Sequence, residues 1–175
     1  MKLHLGCGKR DFGTDWIHID QADYDHIIHK DVTNLRFADG SCDVIYASHL
    51  LEYFSRSDAS KVLGEWYRCL KPGGVLRLAV PDFASICNLY KNGYSLSSFL
   101  GPLYGEMGDP PFYHKTVYDY ASLKTILYDC GFKSVSKYDW RDTDHAEFDD
   151  HSQAYLPHMD KDNGTLISLN VEAVK

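Results

Sequence analysis

The sequence predicts an α/β fold built on an open, mainly parallel β-sheet. One indication is an apolar run at the start that passes directly into a turn bracketed by glycines, Gly6-Cys7-Gly8. A second is a series of short apolar runs, two of which close on Asp20 and Asp31. A third is the Lys-Pro-Gly-Gly segment at 71–74, which ends a helical pattern before a further apolar run. Strand and helix patterns that alternate in this way are typical of parallel sheets.

Five apolar runs are predicted as the first strands of the sheet. The first opens the segment 2–8, and the others cover residues 16–20, 26–31, 43–49 and 75–81. Because glycine adopts positive φ and has no Cβ, a ligand can lie against the bare backbone where the first strand ends. Taken alone, two glycines around a cysteine are equally typical of an ordinary tight turn.

Helices are predicted over residues 49–55 and 57–70. The apolar side chains of the second helix recur at helical spacing and should face the sheet; they are Val62, Leu63, Trp66, Tyr67 and Leu70. Asp82 is predicted to cap a helix to about residue 90, and Asp119 one over about 120–130 that Gly131 ends. Strands over about 133–140 and 166–174 complete the predicted fold.

The composition is that of an ordinary globular domain, and we expect one domain over residues 1–175. Of the 175 residues, 44% are hydrophobic and 25% charged, with no apolar stretch near the ~20 residues of a transmembrane helix. The chain enters a strand at once, so no signal peptide is expected. A net charge of −7 argues against a nucleic-acid partner. The five cysteines form no CxxC pair, which favours the reducing cytoplasm.

Motifs spread over residues 5–132 resemble those of class I S-adenosylmethionine-dependent methyltransferases. They are L-G-C-G at 5–8, I-D at 19–20, D-V-T-N-L-R-F-A-D-G-S-C-D-V-I-Y-A-S-H-L-L-E-Y at 31–53, L-K-P-G-G-V-L-R-L-A-V-P-D at 70–82 and C-G-F at 130–132. The chain looks closest to small bacterial members similar to methyltransferase type 11. The resemblance implies a Rossmann-like sheet of seven strands with an antiparallel last strand, and S-adenosylmethionine as the cofactor.

The chain departs from the family pattern in three places. His4 stands where an acidic residue often precedes the first glycine, and Arg10 where a third glycine often follows Gly8. Only seven residues separate Gly8 from Trp16, too few for the usual first crossover helix of about ten residues. We therefore expect this helix to be shortened or absent, and the cofactor to be less enclosed or covered by a partner subunit.

The predicted cofactor contacts lie at the carboxyl ends of the first strands. They are Gly6, Cys7, Gly8, Asp20, Gln21, Asp31, Val32, Ser48 and His49. Asp20 can accept hydrogen bonds from both ribose hydroxyls, or instead cap the next turn. Asp31 can accept a hydrogen bond from the adenine amino group while the Val32 amide donates one to a ring nitrogen. Alternatively, Asp31 caps a turn before Leu35. Lys9 or Arg10 can neutralise the methionine carboxylate, unless both are simply solvated.

Two histidines are the candidate general bases. An oxygen or nitrogen acceptor loses a proton when it is methylated, and imidazole titrates near neutral pH. His49 follows the fourth strand, at the sheet edge where the substrate is expected, and His114 ends the aromatic segment 110–114. Each is equally explained as a histidine hydrogen-bonded in the pocket wall.

The segment 93–114 is the main irregular insertion. It carries five aromatic side chains, Tyr94, Phe99, Tyr104, Phe112 and Tyr113. Long structured loops at the mouth of a sheet form lids or binding walls, while packing over an apolar edge is the simpler explanation. The segment 155–158 is predicted to close the acceptor pocket from the C-terminal side.

Metal-capable side chains also occur near the C-terminus. They are His145, Asp149, Asp150, His151, His158 and Asp160. Their spacing matches no compact ligand motif, so no metal is expected.

The sequence favours methyl transfer to a small-molecule or glycan acceptor at oxygen or nitrogen. One alternative is a cofactor-binding protein with little catalysis of its own that acts through a partner. A nicotinamide-dependent dehydrogenase shares the glycine turn and the acidic strand end, but the break at 71–74 and the antiparallel last strand argue against it. No membrane partner is expected, and the aromatic insertion suggests a homodimer.

Overall fold

A mixed β-sheet with helices on its faces forms the framework of the protein. A computed structural model describes residues 1–106 and 112–175. The strands in these ranges are β1 (Lys2–Leu5), β2 (Trp16–Ile19), β3 (Ile27–His29), β4 (Cys42–Ser48), β5 (Leu70–Pro81), β6 (Gly105–Glu106), β7 (Phe112–Tyr113), β8 (Ser134–Lys137), β9 (Tyr155–Leu156), β10 (Thr165–Leu166) and β11 (Ser168–Val174). The helices are α1 (Arg56–Cys69), α2 (Phe83–Lys91), α3 (Leu100–Tyr104) and α4 (Tyr120–Asp129), and 3₁₀ turns cover Leu51–Tyr53, Leu96–Phe99, Trp140–Asp142 and His151–Gln153.

Seven of the described strands form one sheet, in the order β3-β2-β1-β4-β5-β11-β8. β1 pairs in parallel with both β2 and β4, and β11 lies antiparallel between β5 and β8. The predicted seven-stranded sheet with an antiparallel last strand is confirmed. The strand order reverses between β1 and β4, and this is where open α/β sheets leave a crevice for ligands.

Helix α1 anchors the sheet close to this crevice. Ser55 caps it by accepting a hydrogen bond from the Asp58 amide at 3.2 Å, and its apolar face buries Leu63 and Trp66 against the strands. The Trp66 Nε1–H donates to the Val32 carbonyl at 2.8 Å. This bond holds the turn after β3 against the helix, so the turn has a fixed position beside the crevice.

The segment 71–74 ends α1 as predicted but lies within β5 rather than before it. Leu70 already pairs with Cys42, and the register then shifts, so that Val75 pairs with Val44. The extra residues form a bulge that glycine allows, because Gly73 has φ +79°.

Two further predicted elements are shorter in the structure. The helix predicted over 49–55 is a single 3₁₀ turn, because His49 has a left-handed φ of +49° and Ser55 already begins α1. The strand predicted over 133–140 ends at Lys137, because Asp139 accepts a hydrogen bond from the Arg141 amide at 2.9 Å and begins a 3₁₀ turn.

Residues 6–15, all of them described, contain no helix between β1 and β2. Phe12 covers the sheet there instead. Its ring stacks on His4 at 3.9 Å and on His145 at 5.1 Å between centroids. The Phe12 amide donates to His18 Nε2 at 2.9 Å, which fixes the loop over the strands. The expected loss of the first crossover helix is confirmed, and aromatic packing replaces it.

The segment 140–153 completes this cover from the C-terminal half of the chain. The Tyr46 hydroxyl donates to Asp150, and Lys2 pairs with Asp144 at the end of the sheet. His145 is 1% exposed and packs against Phe12. His145 and Asp150, two of the metal-capable side chains of the sequence, therefore hold this segment on the sheet. None of the helices in the described ranges is long and apolar enough to cross a membrane.

Candidate active site

A cavity of about 830 Å³ opens at the carboxyl edge of β1, β2 and β4. Its walls come from these strand ends, the 3₁₀ turn after β4, residues 101–105 and 112–115, and the stretch around residues 151–167. It brings together most of the predicted site residues, namely Gly6, Gly8, Asp20, Gln21, Val32, Ser48, His49 and His114.

The two glycines of the first turn have different roles. Gly6 has φ +64°, and a Cβ there would lie 3.1 Å from the Leu50 side chain. Gly8 has φ +55°, and a Cβ there would meet no atom within 4 Å. Gly6 is therefore needed for packing as well as for its conformation, whereas Gly8 leaves open space for a ligand beside the backbone.

Asp20 connects the glycine turn to the cavity. Its Oδ2 accepts from the Gly8 amide at 2.7 Å and its Oδ1 from the Ala22 amide at 2.8 Å. The carboxylate thus caps the following turn, as the alternative interpretation held. Each oxygen still has a lone pair with which it can accept a hydrogen bond from a ligand hydroxyl.

Cys7 and Asp31 do not line the cavity in the described part of the chain. Cys7 is fully buried, and burial raises the pKa of its thiol to about 12. The exposed Asp31 accepts from the Thr33 amide at 2.8 Å and from its hydroxyl at 2.6 Å, both on Oδ1. The structure therefore shows the turn contact for Asp31 and leaves only Oδ2 for another partner.

Ser48 ends β4 and lines the cavity with a hydroxyl that lacks a partner. Its side chain is buried, and no hydrogen bond to Oγ occurs within the described ranges. Leaving a buried hydroxyl unpaired costs free energy, so this atom suits a polar group of a bound ligand. With the bare backbone at Gly8 and the free lone pairs of Asp20, the site fits a nucleoside cofactor.

A buried hydrogen-bond chain fixes the tautomer of His49. Asn170 Nδ2 donates to the Ser152 carbonyl at 2.9 Å, which leaves Asn170 Oδ1 to accept from Ser168 Oγ at 2.9 Å. Ser168 Oγ must then accept from His49 Nε2, 3.2 Å away, so the proton of His49 is on Nε2. The basic nitrogen is Nδ1, which lies 3.4 Å from Glu52 Oε1.

His114 is fixed in the opposite tautomer. Its Nδ1 lies 3.0 Å from the Pro102 carbonyl, which can only accept, so Nδ1 carries the proton. Its basic nitrogen, Nε2, lies 3.9 Å from Glu52 Oε1. The ring packs edge-on against Tyr53 with centroids 4.7 Å apart. Burial lowers the pKa of both His49 and His114, so both imidazoles are neutral at neutral pH.

Sequence reasoning missed Glu52, which lies between the two histidines. It is fully buried, and burial raises the pKa of its carboxyl to about 8. The sequence carries one weak indication, an acidic residue inside the apolar run Leu50-Leu51-Glu52-Tyr53. Its neighbourhood was not predictable because His114 lies far along the chain and joins Glu52 only in the folded protein.

The insertion and the C-terminal segment form the outer walls. Pro102 and Phe112 line the cavity, while residues 107–111, which include two residues of the predicted aromatic segment, lie outside the described residues. On the other side, His151, Ala154 and Ile167 form the wall of the cavity. Residues 155–158, which are predicted to close the pocket, do not line it.

Of the two candidate cations, Arg10 lines the cavity. It donates a hydrogen bond from Nε to the Asp149 carbonyl at 2.7 Å.

Comparison with known proteins gives one family match. Residues 7–78 match the model of a family described as a methyltransferase domain. No curated protein matches the sequence significantly.

Solved structures share the fold over nearly the whole chain. A SAM-dependent methyltransferase from Archaeoglobus fulgidus is 16% identical, with a TM-score of 0.61 over 99% of this chain and 85% of its own. The 1,6-didemethyltoxoflavin-N1-methyltransferase from Burkholderia thailandensis, with bound 1,6-didemethyltoxoflavin and S-adenosylhomocysteine, is 12% identical, with a TM-score of 0.60 over 99% and 70%.

A third similar structure is a complex from Haloferax volcanii. It joins the Trm112 methyltransferase activator to a proposed methyltransferase, and the matched chain is 17% identical to this one, with a TM-score of 0.57 over 99% of this chain and 80% of its own. At these identities the structural likeness establishes the fold.

Proposed function

We propose that the chain is a class I S-adenosylmethionine-dependent methyltransferase that methylates an oxygen or nitrogen atom of a small-molecule or glycan acceptor. The methyltransferase domain match over residues 7–78 and the shared fold support this proposal. One observation carries this proposal. A single cavity is lined both by Asp20 and Ser48, whose polar groups suit a nucleoside cofactor, and by the neutral imidazoles of His49 and His114. Its volume of about 830 Å³ is within the range of small-ligand sites.

Gly8, Asp20 and Ser48 would hold the cofactor. The Gly8 backbone would lie against it, Asp20 would accept hydrogen bonds from its ribose hydroxyls, and the Ser48 hydroxyl would pair with one of its polar groups. When bound, S-adenosylmethionine supplies a methyl group that its sulfonium already activates. The protein then contributes mainly by aligning the acceptor atom.

The aromatic side chains of the cavity wall would receive the acceptor. The ring of Tyr53 packs against Phe112 and His114, and Tyr53 and Phe112 offer flat apolar contacts in the cavity. His49 and His114 are neutral, so each can accept the proton that an oxygen or nitrogen acceptor loses.

Calorimetric titration and a turnover assay test this function. We expect binding of S-adenosylmethionine and of its demethylated product but not of NAD, and turnover on at least one of glucose, phenol and benzoate. His49→Ala and His114→Ala should lower turnover on glucose or phenol, whose hydroxyl groups lose a proton, tenfold or more, because general-base help contributes about 10²- to 10⁴-fold. His158→Ala, an exposed histidine away from the cavity, is the control. If His49→Ala and His114→Ala both keep wild-type activity, neither histidine is a general base, and the protein accelerates methyl transfer by aligning the acceptor alone.

A second candidate function is cofactor binding with little catalysis unless a partner is present. Residues 6–15, beside the proposed cofactor site, form a loop instead of the usual crossover helix. One structure similar to this chain is a complex with a methyltransferase activator. Tight cofactor binding without turnover on any acceptor would favour this candidate.

We further propose that the protein works in the cytoplasm as a homodimer. Its five cysteines are free thiols, as is usual in a reducing compartment. Large apolar side chains are exposed on α2 and in the turns that follow, and such surfaces often form interfaces; they are Phe83, Tyr90, Leu96, Leu100 and Tyr104.

A further inference from the structure

Glu52 lies behind the cavity wall, between the rings of His49 and His114. Its side chain is 1% exposed, and neither of its oxygens accepts a hydrogen bond within the described ranges. Burying a carboxyl group without partners is costly, and a leucine or methionine would fill the same space more cheaply. The position of Glu52 therefore points to chemistry rather than to packing.

The basic nitrogens of both imidazoles lie near this carboxyl group. His49 uses its N–H on Ser168, and His114 uses its N–H on the Pro102 carbonyl. The other ring nitrogens, Nδ1 of His49 and Nε2 of His114, lie 3.4 and 3.9 Å from Glu52 Oε1 and make no hydrogen bond to it. Two nitrogens that can accept a proton, both on residues of the cavity wall, thus lie near one carboxyl oxygen.

We propose that Glu52 is the residue on which the proton released by the acceptor comes to rest, after passing through one of these imidazoles. This inference rests on the proposed methyl transfer. The O–H or N–H bond of the acceptor breaks and leaves its electron pair on the acceptor atom. The proton moves to the basic nitrogen of an imidazole in the wall and then to the Glu52 carboxylate, which becomes a neutral acid. The imidazole is neutral again at the end of the step.

The surroundings of the cluster set the direction of this transfer. Burial lowers the pKa of both imidazoles and raises the pKa of Glu52 to about 8, so the proton is held more tightly by the carboxylate. Three other groups face the cluster. The Tyr118 hydroxyl stays neutral, because burial raises its pKa to about 12. The Arg10 cation and the His151 imidazole both disfavour a proton on His49.

A pH–rate profile of wild type and Glu52→Gln tests the proposal. The assay uses whichever of glucose and phenol the wild type methylates faster, with saturating S-adenosylmethionine; benzoate is left out because its carboxylate has no proton to lose at these pH values. In the wild type, turnover should rise tenfold or more between pH 6 and 9, because the carboxylate can accept a proton only once it is ionised. Glu52→Gln keeps the shape and neutrality of the protonated acid but cannot pass a proton. It should match the wild type within about threefold at pH 6 and lose the rise.

Glu147→Gln makes the same chemical change on an exposed carboxylate and should keep the wild-type profile. Cofactor affinity, measured by titration, should be equal in all three proteins, which shows that the variants are folded. A Glu52→Gln profile that still rises like the wild type would reduce Glu52 to a structural residue and overturn the proposal.

A measurement without turnover separates this proposal from the proposed function. In protein labelled with ¹³C-glutamate, the carboxyl signal missing from Glu52→Gln should titrate near pH 8 in the apo protein. Titration near the ordinary value of 4.5 would overturn the proposal even if methyl transfer is observed. If the wild type methylates none of the three acceptors, the proposed function fails, and the NMR titration still decides whether Glu52 holds a proton.

Discussion

At the scale of single residues, Gly8 is the sharpest test of where the cofactor binds. Its φ of +55° strains any other residue, and the space beside it is open to the cavity. Gly8→Val should raise the dissociation constant for S-adenosylmethionine tenfold or more, because a branched side chain would occupy the space proposed for the ligand. Calorimetric titration measures this change.

Gly13→Val is the matched control for Gly8→Val. Gly13 also has a positive φ, +86°, and open space beside it, but it lies outside the cavity. The same backbone strain should leave cofactor affinity unchanged there. Equal affinity in Gly8→Val and wild type would show that the cofactor does not lie against this turn.

His49 shows how the sequence can predict where a residue lies without predicting what it contacts. The carboxyl end of β4 placed it at the cavity, but only the folded structure brings its Nδ1 within 3.4 Å of Glu52 Oε1 and its Nε2 onto Ser168. The imidazole therefore acts as one of a group of three titratable side chains with Glu52 and His114. The group, rather than either histidine alone, determines where a proton is held.

At the scale of elements, aromatic packing replaces the first crossover helix. Phe12 is 7% exposed and stacks between His4 and His145 over β1 and β4. Phe12→Ala should lower the free energy of unfolding by about 3–5 kcal/mol, because the sheet would lose its cover and a cavity would remain. Chemical denaturation measures this loss.

Tyr128→Ala provides the comparison for Phe12→Ala. Tyr128 lies on α4, outside the proposed dimer surface, and is 44% exposed, so removing its ring should cost about 1 kcal/mol or less. A loss for Phe12→Ala as small as that for Tyr128→Ala would mean that another part of the chain, and not Phe12, stabilises this face of the sheet.

At the scale of the whole molecule, buried histidines should make the fold sensitive to mild acid. Burial lowers the pKa of His4 and His18, and that of His145 to about 4. The unfolded chain takes up protons near pH 6.5, before the folded one does, so stability is full above that pH and falls below it. His145 alone accounts for a loss of about 3 kcal/mol between pH 6.5 and 4.

Thermal unfolding of wild type and His145→Phe between pH 7.5 and 5 measures this effect. The variant keeps a ring against Phe12 but has no proton to take up, so its melting temperature should fall less as the pH falls. The raised pKa of Glu52 has the opposite effect, because it makes the folded state more stable as the pH falls. Both proteins contain Glu52, so this effect does not change the difference between their melting temperatures. Parallel curves would show that His145 does not contribute to acid sensitivity.

The proposed homodimer is a second property of the whole molecule. Light scattering at tens of micromolar, a typical assay concentration, should give twice the monomer mass of 20.0 kDa. Tyr90, exposed on α2 beside other apolar side chains, offers the variant Tyr90→Asp, which should give monomers because burying a charge in the interface is costly. Tyr128→Asp, on the exposed side of α4, should remain dimeric. A monomer mass for the wild type would contradict the proposal.

The sequence by itself determined the strand framework and the edge of the sheet at which the cavity opens. The glycine turn, the aspartate at the end of β2 and the glycine break after α1 are carried by a few neighbouring residues, and their conformational preferences act locally. Order along the chain then placed the predicted glycines, Asp20 and His49 at one edge, because parallel strands end on the same side of a sheet. The short spacing between Gly8 and Trp16 likewise predicted the loss of a helix.

Only the tertiary structure decided what covers the sheet and where protons are held. Phe12 meets His145, and Glu52 meets His114, through contacts between residues far apart in sequence. No local pattern specifies such pairs, because they depend on how the insertion and the C-terminal segment pack back onto the strands. Burial of Glu52 and its two histidines follows from that packing, and burial is what moves their pKa values in opposite directions.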